Sequence, residues 1–196
     1  MKLIDLIQQN RSYRRFYQEQ SIALADLQAM IEAARLSGSG RNLQPLKYIL
    51  CNTPELNARI FETLGWAGYL TDWDGPEEGE RPAAYIIQLL DTGIAAAAGW
   101  DSGICAQSIL LQAVEFGFGG CMIGSFKPEP LRNILEIPES YSILLVIALG
   151  KPKEEVVVDP IVNGDVRYWR DEHQVHHVPK RALEDLFFPK TVIQSR

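Results

Sequence analysis

Helical and extended segments follow one another irregularly along this chain, and that irregularity constrains its fold more than any other feature. Lys47 to Cys51, Ala83 to Leu90 and Ser142 to Leu149 read as strands, the latter two as buried ones. Between them lie helical stretches of unequal length and no regular strand–helix–strand repeat. An α+β class is therefore expected over a doubly wound parallel sheet. Leu24 to Leu36 has Leu27, Met30, Ile31 and Ala34 on one face and stops at Ser37-Gly38-Ser39-Gly40. Residues 2–9 and 128–135 predict short helices, and Thr53-Pro54 reads as an N-cap followed by a first-turn proline. The longest helix is expected over 94–117, with Ile104, Ser108, Leu111 and Val114 on its apolar side. Residues 65–82 predict a long loop. The last 40 residues show little apolar periodicity before Leu183, which suggests that they cover another surface, such as a partner subunit.

At 196 residues, 46% hydrophobic and 22% charged, residues 1–196 are expected to form one domain with a full core. A net charge of -6 argues against general nucleic-acid binding, which needs a clustered basic surface. Cys51, Cys105 and Cys121 are odd in number and widely spaced, so neither a disulfide framework nor a zinc site is expected. The N-terminus carries Asp5 within its apolar part and does not read as a signal peptide, and no apolar stretch is long enough to span a bilayer. A cytoplasmic location, with no membrane partner, is the resulting expectation.

Four clusters carry candidate chemistry. Arg11-Ser12-Tyr13-Arg14-Arg15-Phe16 gathers guanidiniums that match phosphate oxygens bidentately, or forms a solvated basic turn. Ser37 to Pro45 combines Gly38 and Gly40 with Asn42 and Gln44, whose amides suit the edge of a heterocycle; the alternative is a plain helix-to-strand loop. Gly117 to Phe126 could present a backbone N–H to a flat ring or simply turn into a strand. Val178-Pro179-Lys180-Arg181 could close a phosphate site or belong to a solvated face. The chain has neither GxGxxG nor GxxxxGK[ST], and neither GxSxG nor HExxH. His173, His176 and His177 lack a carboxylate or thiolate at ligand spacing, so no metal is expected. Cys121 reads as a small buried residue more readily than as a nucleophile.

Taken in order, RSYRRF, SGSGRNLQP, GGCMIGSF, ALGKP and VPKR resemble the motifs of the nitroreductase family of flavoproteins, in its shorter subgroup. Leu46 stands where the family commonly has Trp, and Gly38 where it commonly has Pro; neither change removes a polar group expected at the cofactor. The resemblance implies a central mixed sheet flanked by helices, an intertwined homodimer, and FMN at the subunit interface. It implies that Arg11, Ser12 and Arg15 hold phosphate and ribityl oxygens, and that Arg14 sits by the pyrimidine edge, with Arg14 and Arg15 interchangeable on sequence alone. Ser39 and Asn42 would belong to the partner subunit's contribution, with Gln44 near the ribityl chain or ring. Gly124 would present its N–H toward flavin N5 with Ser125 beside it, and Lys180 and Arg181 would complete the phosphate cage. No catalytic side chain is implied, because the flavin would carry hydride from NADH or NADPH to a small nitro or quinone-like acceptor by a ping-pong scheme. Trp66, Tyr69 and Trp73 are candidates for the acceptor pocket. A non-catalytic FMN-binding or sensing protein, or a relative doing dehalogenation or flavin fragmentation, are the rival readings.

Overall fold

Two strands explain most of the architecture. In β3 (Ala84–Asp91) every residue from Ala84 to Leu90 is buried, and in β5 (Tyr141–Pro152) Val146 to Gly150 are buried. Such continuous burial means that both faces of the sheet are covered. Alternate residues feed two separate cores. Ile86, Ile147 and Leu149 point to one, and Tyr85, Ile87, Val146 and Ala148 to the other. The computed structural model describes residues 2–188.

The main sheet runs β1 (Phe16–Tyr17), β5, β3, β2 (Leu46–Cys51), with β4 (Gly119–Ile123) also paired to β5. All four of these pairings are antiparallel. Parallel pairing enters through a bridge between Ser12 and Gly120 and in a second, three-stranded sheet. One face of the main sheet is covered by α2 (Leu24–Arg35) and α4 (Asp101–Glu115), which bury Leu27, Met30 and Ala34 against Ala106, Ile109 and Ala113. The other face carries α3 (Pro54–Phe61) and α5 (Pro128–Leu135), which bury Ile60 and Leu131. The apolar stripe of α2 is the one its spacing predicts. α1 (Leu3–Gln9) buries none of its residues.

One expectation is corrected. The helix expected over 94–117 begins only at Asp101: Gly99 takes φ +56, a left-handed conformation that interrupts the alanine-rich run. Its buried face is Cys105, Ala106, Ile109, Leu110, Ala113 and Val114, one residue round from the expected stripe, and Ile104 is exposed. Thr53 does occupy the N-cap of α3, but its side chain makes no capping hydrogen bond. In the tail, β6 (Val156–Pro160), β7 (Trp169–Arg170) and β8 (His176–Lys180) form the second sheet, in the order β6-β8-β7. β6 and β8 run parallel, and β7 and β8 antiparallel. Its strands are only two to five residues long, too short for helical periodicity to detect.

Candidate functional site

Glycine brings the first and third sequence clusters together. The Ser12–Gly120 bridge lays the RSYRRF segment along β4, and Tyr13 N–H donates to the Gly120 carbonyl (3.1 Å). A Cβ on Gly120 would lie 2.2 Å from the Ala148 carbonyl oxygen, and one on Gly119 would lie 2.5 Å from the Tyr13 ring. A larger residue at Gly119 would push the RSYRRF segment off β4, and one at Gly120 would push β4 off β5. With them close, Arg14 lines a cleft of about 260 Å³ together with Trp66, Met122, Gly124, Ser125 and Tyr168. A Cβ built on Gly124 meets nothing within 4 Å, so this backbone faces open space.

The two arginines that sequence could not separate have different fates. Arg15 forms a two-pronged ion pair with Glu80, which also binds Lys153 Nζ at 2.9 Å. Its charge is spent inside the protein, where the Arg15 hydrogen bonds hold the Glu80 carboxyl down to about 2 against the opposing effect of burial. Arg14 pairs with no carboxylate among the described residues. Its Nη1 donates to the Ser12 carbonyl (3.1 Å) and lies 3.3 Å from His176 Nε2, and its guanidinium stands 5.0 Å from the centre of the Tyr168 ring.

A buried carboxylate fixes the backbone beneath Arg14. The Glu154 side chain is wholly buried and accepts hydrogen bonds from the N–H groups of Arg14 and Arg15 and from Arg170 Nη2 (2.9 Å). Arg170 in turn stacks over Trp73 at 4.2 Å. The second sheet thus clamps the RSYRRF segment from one side. The 65–82 loop is pinned by the same tail: Tyr69 packs against Tyr168 at 4.9 Å, and Trp66 lies between Phe61 and Trp73.

The remaining expected site residues lie elsewhere on this chain. Arg11 turns back and donates to the Ile7 carbonyl at 2.7 Å. Ser12 is exposed beside β4. Ser39 donates to Asp101 Oδ2 (2.6 Å) and accepts from Gln44 N–H (2.9 Å), and Gln44 reaches back to Asn42. In that loop Arg41, Asn42 and Gln44 all have φ between +52 and +56. Held conformations of this kind cost energy and cluster at functional sites. None of residues 37–45 lines the Arg14 cleft. Lys180 and Arg181 line a separate, open cavity of about 530 Å³ with Asp159 and Asp185. Of Trp66, Tyr69 and Trp73, Trp66 alone reaches the cleft wall.

Tyr168, His176, Glu154 and Arg170 were not singled out as site residues from the sequence. The histidines drew notice only as metal ligands, and the fold separates them. His173 is exposed, His176 is fully buried, and His177 sits 2.6 Å from Asp159 and stacked on Trp169. No group of three or more His, Cys, Asp or Glu that could hold a metal occurs among the described residues. All three cysteines are buried and free, and burial pushes the Cys121 thiol up to about 12, well away from a nucleophilic thiolate.

Fold and site together define an α+β protein with a cationic, glycine-edged cleft where an N-terminal arginine segment meets a sheet edge. The nitroreductase family model matches residues 7–68 and 76–151, and the chain belongs to that family. It is 24% identical over 190 residues to the NADPH-flavin oxidoreductase of Vibrio harveyi, covering 87% of this chain and 74% of that protein. It is 26% identical over 175 residues to an NADH dehydrogenase of Thermus thermophilus, covering 74% and 84%. Among solved structures, the FMN-dependent nitroreductase of Clostridium difficile R20291 superposes with a TM-score of 0.64 at 23% identity, covering 78% of this chain and 89% of that one.

Proposed function

We propose that this chain is an FMN-dependent NAD(P)H oxidoreductase that works as a homodimer and reduces a small acceptor of nitro or quinone-like chemistry. The observation that carries the reading is the cleft pairing of Arg14, a cation with no carboxylate partner among the described residues, with Gly124, whose missing side chain leaves open space. An uncompensated cation suits a ring that gains negative charge on reduction, and a glycine with open space at its Cβ position lets a flat ring approach the backbone. Trp66 and Tyr168 supply flat, apolar walls. Bound there, FMN would supply the hydride chemistry, serving donor and acceptor in alternate visits. The residues present fit that role without any acid–base group.

At about 260 Å³ the cleft lies below the ~300–1,000 Å³ usual for a pocket that encloses a drug-sized ligand. A half-site completed by a second copy accounts for that size. It also accounts for the rigid 37–45 loop, whose Asn42 and Gln44 are exposed away from this chain's own cleft. Apolar surface supports assembly as well: Leu3 and Ile4 on α1 are 65% and 55% exposed, and Trp100 before α4 is 87% exposed.

The test is the visible spectrum of the purified protein, followed by anaerobic addition of NADH and then NADPH. Flavin bands that bleach support the reading and name the reductant. A yellow protein that neither nucleotide bleaches points to a sensing role or a different reductant. A colourless protein that takes up no FMN on reconstitution refutes the proposal.

A further inference from the structure

The contact between Arg14 and His176 has a chemical direction that the atoms alone decide. A guanidinium carries only donors and stays charged at any pH a protein tolerates. The 3.3 Å approach of Arg14 Nη1 to His176 Nε2 is therefore a hydrogen bond only if Nε2 is unprotonated and accepts. The imidazole must then be neutral with its proton on Nδ1. Its surroundings favour the neutral ring, and Nδ1 is itself buried with no hydrogen-bond partner among the described residues. His176 is fully buried, Tyr168 covers its ring at 5.3 Å, and burial, with the nearby charges of Arg14, Arg170 and His177, lowers its pKa to about 4. Both hydrogens of Arg14 Nη1 are engaged, one by the Ser12 carbonyl and one by His176.

We infer that His176 is a positioning residue for Arg14: as a neutral acceptor on β8 it aims an unneutralised cation into the cleft, and so raises the reduction potential of the flavin bound there. The inference rests on the proposed FMN site but adds a device within it. A carboxylate in place of His176 would hold Arg14 equally well and cancel its charge, as Glu80 does for Arg15. A protonated histidine would repel it. A neutral, buried imidazole orients the guanidinium while leaving its charge intact. Tyr168 packs against both groups, 5.0 Å from the Arg14 guanidinium and tilted at 45° to the His176 ring. This assigns the tail sheet a function in tuning the cofactor, apart from covering the chain.

The experiment compares the FMN-loaded full chain with His176→Phe, which keeps a flat ring but no acceptor, and His176→Gln, whose amide oxygen can accept near the position of Nε2. Equilibrium potentiometry is expected to show the two-electron potential of His176→Phe lowered by about 30 mV, a tenfold loss in preference for reduced over oxidised FMN. His176→Gln is expected to restore most of it. In an Arg14→Met background His176→Phe should shift nothing further. A potential that His176→Phe leaves unchanged, or shifts equally with Arg14 absent, overturns the inference. Histidine ¹⁵N resonances of the unsubstituted protein give a readout independent of variant folding. A neutral Nδ1–H ring from pH 5 to 8 is expected, and a ring that titrates there, or carries its proton on Nε2, overturns the inference. Failure of the unsubstituted chain to bind FMN instead refutes the functional reading, which separates the two.

Discussion

Gly120 on β4 faces the Ala148 carbonyl of β5, and its hydrogen is the only substituent the space allows. Gly120→Ala places a methyl group 2.2 Å from a backbone oxygen and 2.9 Å from Leu149, so the strands must separate. The expected cost is about 3 kcal/mol, at the upper end for overpacking because the obstacle is backbone, and a urea melt measures it. Glu80 gives a second residue-scale prediction. Its depressed pKa means that the Arg15 and Lys153 pairs stabilise the fold above the ordinary glutamate value of ~4.3, and that this is lost as pH falls toward about 2. Glu80→Gln is therefore expected to be on the order of 1–2 kcal/mol less stable at pH 7, with the two unfolding curves converging near pH 2. Curves that stay parallel across that range would show that the pair contributes nothing.

At the scale of elements, one buried ion pair ties the second sheet to the RSYRRF segment. Arg170 and Glu154 have side chains only 9% and 0% exposed, and the carboxylate also holds two backbone N–H groups of the RSYRRF segment. Arg170→Met leaves that carboxylate buried with those N–H donors but without its counter-charge, which costs about 3 kcal/mol or more. The loss should appear first as protease cleavage within residues 156–180, followed by a lowered melting temperature. α4 teaches a related lesson. The run IAAAAGW has strong local helix propensity, yet the helix starts only after Gly99, and its first residue, Asp101, holds the Ser39 loop through Ser39 Oγ and the Gly40 N–H. Propensity is a weak prior where a left-handed residue breaks the run and a tertiary anchor fixes the start.

At the scale of the molecule, the exposed apolar residues of α1 and Trp100 are the surface that homodimerisation would cover. Trp100 contributes little to the folded monomer, being 87% exposed, so Trp100→Glu tests assembly with little effect on folding. Sedimentation at micromolar concentration is expected to show a monomer, with FMN retained at least tenfold more weakly. A dimer that survives Trp100→Glu together with Ile4→Glu would place the interface elsewhere.

The α+β class, the two buried strands, the α2 stripe and the motif set that resembles the nitroreductases are all legible in the residues alone. Each rests on local periodicity or on residues close together in the chain. The sequence also nominated Arg14, Gly124, Ser125 and Trp66, which the fold gathers around one cleft. Only the tertiary structure separated Arg14 from Arg15, because the difference is made by Glu80, 65 residues further on. Likewise only the fold turned three neighbouring histidines to three environments, and set His176 against an arginine 162 residues earlier in the chain. Which charges are cancelled and which are left to face a ligand depends on contacts between distant segments. No local pattern encodes such contacts, and here they decide what the site can do.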